Sequence, residues 1–226
     1  GVESGEGIMA QRKTKAGKRC ASIAREGSAA ARFRKLAAAY YEETFERFPI
    51  IATCMGRHEF DGELGHPTPA AWERQIRLTR RTLEAIEDLP AGDFEAAETL
   101  DRRAMLANLR LVRLEHETLG RWRNNPQLHL QAAADAVYEL VVRHADDLTP
   151  VAEALLSRLR KLPRYLDEAA ECPRLPDPLW QRLALKAAPE VAEFFQSLAE
   201  PLARATGRPI STVRKLTQGA ADAAAR

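Results

Sequence analysis

The chain has 226 residues, is 45% hydrophobic and 29% charged, and carries a formal net charge of +2. That length can bury a sizeable core, and the balance fits a soluble globular protein rather than a low-complexity or membrane-embedded one. Three widely spaced cysteines, Cys20, Cys54 and Cys172, with no C-x-x-C pair, argue against a disulfide scaffold or a zinc knuckle and for a reducing compartment.

Residues 1–28 are rich in Gly, Ser, Lys and Arg and read as a disordered basic segment. Residues 1–35 hold nine Lys/Arg against three Asp/Glu, a surplus of +6, which leaves the remainder at −4. A nucleic-acid binder usually carries its basic face on the folded domain. The basic head suits a solvated tail, a nucleic acid or an anionic membrane, and no firm nucleic-acid or membrane partner follows from it. No apolar run approaches the ~20 residues of a membrane span, and no signal-peptide h-region is visible. A cytoplasmic location is therefore expected. The chain opens GVESGEGIM, so Met9 is a candidate start.

The helical pattern begins at Ala29. It runs to Phe48 and meets Pro49, which lacks a donor and disfavours helical geometry before it, so a break belongs there. A loop is expected from about Gly56 to Thr68, where Asp61-Gly62, Gly65 and Pro67 form turns. Thr68-Pro69 reads as N-cap and first helical residue. Trp72, Ile76, Thr79, Leu83 and Ile86 then recur at 3/4 spacing and predict one buried stripe. Leu89-Pro90-Ala91-Gly92 ends it.

Asp93 is the expected cap of a long helix reaching about Leu119. Its predicted buried seam is Ala97, Leu100, Ala104, Ala107, Leu111 and Leu114, widened by Met105, Leu109 and Val112. Gly120 suits a left-handed helix end. Asn125-Pro126 restarts the chain, with Leu130, Ala134, Val137 and Val141 on one face. Thr149-Pro150 repeats the cap-plus-Pro signature before Val151, Leu155, Leu159, Leu162 and Leu166. Pro163 is expected to kink or split that helix. CPRLPDP, residues 172–178, is a stiff connector. A helix over 179–200 with a kink at Pro189, and a last one from near Ser211, complete the series. The fold class is all-α: an antiparallel multi-helix bundle of about seven helices. The helical domain, residues 29–226, stops without a capping Gly or Pro and reads as cut at its C-terminal end.

Two His-Glu pairs open the question of chemistry. In H-E-x-x-H two histidines four apart bind zinc and the Glu is general base. Here Gly62 follows His58-Glu59, and Gly120 follows His116-Glu117, at the fourth position, so neither pair is a ligand set. His58, Glu59, Asp61, Glu63 and His66 crowd one loop and could take a divalent cation. A structural reading fits better: His58 and Asp61 hydrogen-bonded across the loop, Asp61-Gly62 turning it. Tyr40, Tyr41, Phe45 and Phe48 read as core rather than a ligand groove. Arg121-Trp122-Arg123 reads as an exposed helix end rather than an anion site. Glu115-His116 reads as a solvated face rather than an acid-base pair. Nucleophile and phosphate-loop signatures are absent from the sequence. The residues themselves yield no catalytic group and no metal ligand.

The stretch Glu46 to Gly62 fits E-x-F-P-x-x-A-T-x-x-G-R-H-E-F-D-G. Leu100-Asp101, Trp122 to Pro126 (W-R-N-N-P), Leu159 to Ala169 (L-x-x-L-P-R-Y-L-D-x-A) and Trp180 to Ala184 (W-x-x-L-A) follow in order. Together these resemble the start of a large bacterial family, domain of unknown function 885, over roughly residues 30–220. The resemblance implies an all-helical, gluzincin-like zinc peptidase whose H-E-x-x-H helix and Glu ligand lie in the second half of a longer chain. No position here matches those ligands, so none is carried over. It implies that this chain is the N-terminal helical half, with Pro49, Gly56, His58, Asp61, Asn125 and Pro126 bracing the scaffold or one cleft wall. Its partners would be the missing C-terminal catalytic half and, for the whole enzyme, zinc and a peptide-like substrate. No cofactor is expected in this chain. The alternative is a stand-alone helical binding or interaction module.

Overall fold

The computed structural model describes residues 27–174 and 176–226. The basic segment expected over 1–28 lies outside them except for Gly27 and Ser28, as does Cys20. Among the described residues all regular structure is helical. Seven long helices are present: α1 (Ala29–Arg47), α3 (Pro69–Glu87), α4 (Ala96–Arg113), α6 (Pro126–Arg143), α7 (Ala152–Ala170), α8 (Pro178–Ser197) and α10 (Ile210–Ala224). Three short ones, α2 (Pro49–Cys54), α5 (Arg121–Asn124) and α9 (Ala199–Thr206), stand between them. No helix among the described residues is long and apolar enough to cross a membrane.

Two compact units divide the described residues. The first holds residues 27–43 and Gln75–Thr118, and so most of α1, most of α3 and all of α4. Its core is Phe33, Leu36, Tyr40, Leu78, Leu83, Ile86, Leu89, Met105, Leu106 and Leu109. Phe94 meets Phe33 edge-on at 6.0 Å, and Arg102 caps the end of α3 by donating to the carbonyls of Ile86, Glu87 and Leu89. The second unit holds Thr44–Arg74 and Leu119–Arg226. There α6 and α10 each pack against α7 and α8 around Val137, Leu140, Leu155, Leu159, Leu162, Phe195 and Val213.

Local signals placed these elements well. α1 stops at Arg47 and α2 starts at Pro49. Thr68 Oγ1 accepts the Ala71 N–H at 3.3 Å, and Asn125 accepts that of Leu128 at 3.2 Å. Gly120 is left-handed at φ 57°. Tyr40, Phe45 and Phe48 are buried.

Four expectations are corrected. Glu95, not Asp93, is the N-cap of α4, and its N–H is accepted by the Glu98 side chain at 3.2 Å. The predicted α4 seam faces outward: Leu100, Leu111 and Leu114 are 63%, 53% and 46% exposed, while Met105, Leu106 and Leu109 are buried. α4 is apolar on two sides, so spacing alone cannot choose between them. Pro163 and Pro189 each lie within a continuous helix, which leaves the expected kink as the alternative at both. Leu155, Leu156, Leu159, Leu162 and Tyr165 are all buried along α7, and that burial exceeds the ~3 kcal/mol cost of an internal proline. Trp122 is buried at 1% exposure rather than lying on an exposed helix end. Glu115 and His116 are half-buried in a π-helical turn, Leu114–Thr118, that prolongs α4.

Candidate functional site

The loop after α2 begins from a backbone constraint. Gly65 has φ +76°, and a Cβ there would lie 2.5 Å from the Arg47 carbonyl oxygen and 2.8 Å from Pro49 Cδ. The break between α1 and α2 therefore packs against the far end of the loop, and only glycine fits. Gly56 is left-handed too, at φ +81°, but faces open space and simply ends α2.

One side of α7 then holds the loop along its length. Ser157 Oγ and Lys161 Nζ both donate to the Gly62 carbonyl, at 2.9 and 2.8 Å. Lys161 also pairs with Glu63 at 2.7 Å, and His66 Nδ1 lies 2.8 Å from Glu168. Leu64 inserts into the core, 2% exposed. Past the end of α7, Cys172 Sγ donates to the Pro67 carbonyl at 3.0 Å.

Arg158 is the centre of this arrangement and is fully buried. Its guanidinium donates to the Ala136 carbonyl on α6, to Thr53 Oγ1 at 2.6 Å and to the Phe60 carbonyl at 3.3 Å. The Thr53 hydroxyl donates in turn to Asp61 Oδ1 at 2.8 Å, and Asp61 Oδ2 lies 3.0 Å from His58 Nδ1. A chain Arg158–Thr53–Asp61–His58 thus runs from the core to an exposed imidazole. Burial pushes the Arg158 guanidinium down to about 10, against the pull of the Asp61 carboxylate. It remains a cation at neutral pH. Arg143, on α6, closes the end of α2 by donating to the carbonyls of Thr53 and Cys54 at 3.2 and 3.0 Å.

An imidazole oriented by a buried carboxylate is the geometry of a general base. Among the described residues the neighbours of His58 are Asp61 and the Arg57–Glu59 pair rather than a nucleophile. Burial and Glu139 raise the Cys54 thiol, so it is not an activated nucleophile. No group of three His, Cys, Asp or Glu able to hold a metal occurs among the described residues. What the arrangement does is mechanical: it fixes α2 and the loop onto α6 and α7.

The candidate residues fall into two places. Gly56, His58 and Asp61 lie in this braced loop, and Pro49 begins the helix α2 that leads into it. Asn125 and Pro126 sit at the other end of α6, ten or more residues before Ala136. There Asn125 is buried and caps α6, and His129 Nε2 meets the Trp122 carbonyl at 2.9 Å. Burial lowers the His129 pKa. Trp72 stacks on Trp122 at 6.2 Å, Phe48 lies 4.7 Å from Trp72, and Arg123 sits 4.4 Å over the Trp122 ring. Sequence reasoning missed Arg158, Thr53 and Cys172. A signal for Arg158 existed: it stands three after Leu155 and four before Leu162, inside the buried arc of α7.

A family model described as bacterial protein of unknown function (DUF885) matches residues 49–226. The chain belongs to this family. The matched region thus opens with α2 and its braced loop. Among solved structures, the family member resembles a protein of Shewanella oneidensis provisionally classed as a lipoprotein and of unknown function, with a TM-score of 0.66 at 17% identity. That match covers 85% of this chain and 35% of the other, so the chain spans about a third of that neighbour's length. At this identity the likeness shows the shared fold alone. No curated protein matches the chain.

Proposed function

We propose that this chain is the N-terminal helical scaffold of a larger zinc-dependent, peptidase-like hydrolase, supplying a rigid wall to its cleft and no catalytic group. The observation that carries this reading is the inward use of the motif. Thr53 links Asp61 to Arg158 inside the second unit, and other polar groups of the loop bind α7. A motif used this way sets shape rather than chemistry. The family resemblance supplies the reaction class, and the greater length of the solved neighbour supports a longer whole.

The residues present do not fit zinc: both His-Glu pairs lack a second histidine, and no ligand trio gathers among the described residues. The peptide-like substrate and the hydrolytic groups therefore belong to polypeptide outside this chain in this reading. The test is the native gene product, sized in its source and sequenced beyond the codon for Arg226. A longer product carrying H-E-x-x-H, one zinc per chain and peptide hydrolysis is expected, while the 226-residue chain alone binds no stoichiometric zinc and cleaves no peptide. One tightly held zinc in the 226-residue chain would overturn the assignment. The widely spaced cysteines favour a cytoplasmic setting for it, and cell fractionation tests this against the lipoprotein class of its structural neighbour. A stand-alone binding module is the competing reading, but it leaves the three outward leucines of α4 in water.

A further inference from the structure

Single exposed leucines are ordinary on a protein surface. On α4 they are aligned. Leu100, Ala104, Ala107, Leu111 and Leu114 follow one another at 3/4 spacing, all exposed. Together they make an apolar strip of roughly 20 Å at 1.5 Å per residue. The opposite side of α4, through Met105, Leu106 and Leu109, already fills the core of its unit. A shallow groove runs beside the strip, lined by Leu100, Arg103, Ala104, Leu106, Ala107 and Arg110. The two small alanines at its middle allow another helix axis to come within about 8–10 Å.

Charge completes the pattern. Arg103 and Arg110 border the strip on one side, seven residues or two turns apart; Asp101 and Glu115 border the other. Arg110 pairs with Glu87 at 2.7 Å, and both side chains are exposed. We propose that this strip docks an amphipathic helix from the remaining polypeptide of a longer DUF885 protein. The apolar stripe of that helix carries carboxylates on the border that meets Arg103 and Arg110. The inference rests on the reading of this chain as part of a longer protein. Length supports that occupant: the solved neighbour shares this fold with 85% of the chain, yet most of its own polypeptide lies beyond the match. That polypeptide needs apolar surface to pack on.

The test introduces Ala107→Cys and, separately, Leu111→Cys, both at exposed positions. Each is made in the 226-residue chain and in the whole product of its gene. The rate of N-ethylmaleimide addition at the new thiol is read by peptide mass spectrometry, relative to the same protein in urea. Labelling is expected to be fast in the 226-residue chain and slower by about tenfold or more in the longer product, at any protein concentration. Equal rates in the two overturn the proposal. So does slow labelling of the 226-residue chain: if it depends on concentration, a second copy covers the strip; if not, the chain covers itself. A longer product protected here but lacking H-E-x-x-H keeps this inference and rejects the peptidase reading. A zinc-binding product with an open strip does the reverse, and a native product no longer than this chain overturns both.

Discussion

Arg158→Met tests the brace most directly. The substitution keeps the side-chain volume and removes the charge. Asp61, 8% exposed, is then left buried without the cation it faces across Thr53. Three donated hydrogen bonds disappear, although the Phe60 carbonyl keeps the Glu63 N–H at 2.9 Å. The backbone therefore loses less than the carboxylate does. Removing one member of a buried charge pair typically costs about 3–5 kcal/mol. For a domain of this size that is a fall in Tm on the order of 10 °C. All three tryptophans, Trp72, Trp122 and Trp180, lie in the second unit, so tryptophan fluorescence during urea unfolding reports it selectively. Asp61→Asn in the wild-type background is expected to cost about 1–3 kcal/mol, and less when Arg158→Met is already present. A loss below about 1 kcal/mol for Arg158→Met, with the two changes simply additive, would mean the chain of hydrogen bonds does not hold the loop.

Three further outcomes are expected. Gly65→Ala should cost roughly 2–5 kcal/mol, the left-handed strain plus a clash with Arg47 and Pro49, whereas Gly56→Ala, with open space around it, should cost only about 1–2 kcal/mol; paired thermal melts compare them. His129 is buried with its pKa depressed, so the unfolded chain binds its proton first. Stability should hold above the ordinary histidine value of about 6.5 and fall as pH drops below it; His129→Leu should flatten that part of the urea midpoint–pH curve. If the slope is unchanged in the variant, burial of His129 is not its source. Leu109→Ala, at 0% exposure, should lower stability by about 2–5 kcal/mol, while Leu111→Gln should stay within about 0.5 kcal/mol, read by helical circular dichroism. Equal losses would mean that the burial on α4 has been assigned to the wrong face.

The sequence by itself determined where the helices begin and end. Pro49, Thr68-Pro69, Asn125-Pro126 and Gly120 act through their own backbone, by a missing donor, a capping oxygen or a left-handed φ, and need no distant partner. The stripe of α7 was equally legible because it is apolar on one side only. Tertiary structure decided two things. It chose which apolar side of α4 enters a core, since Met105, Leu106 and Leu109 are buried by residues of α1 and α3 and not by any property of α4. It also gave the motif its meaning. Thr53, Asp61 and His58 are neighbours in sequence, but Arg158 comes from 105 residues beyond Thr53. A buried cation's partners are set by the fold that removes it from water, which no local spacing can state.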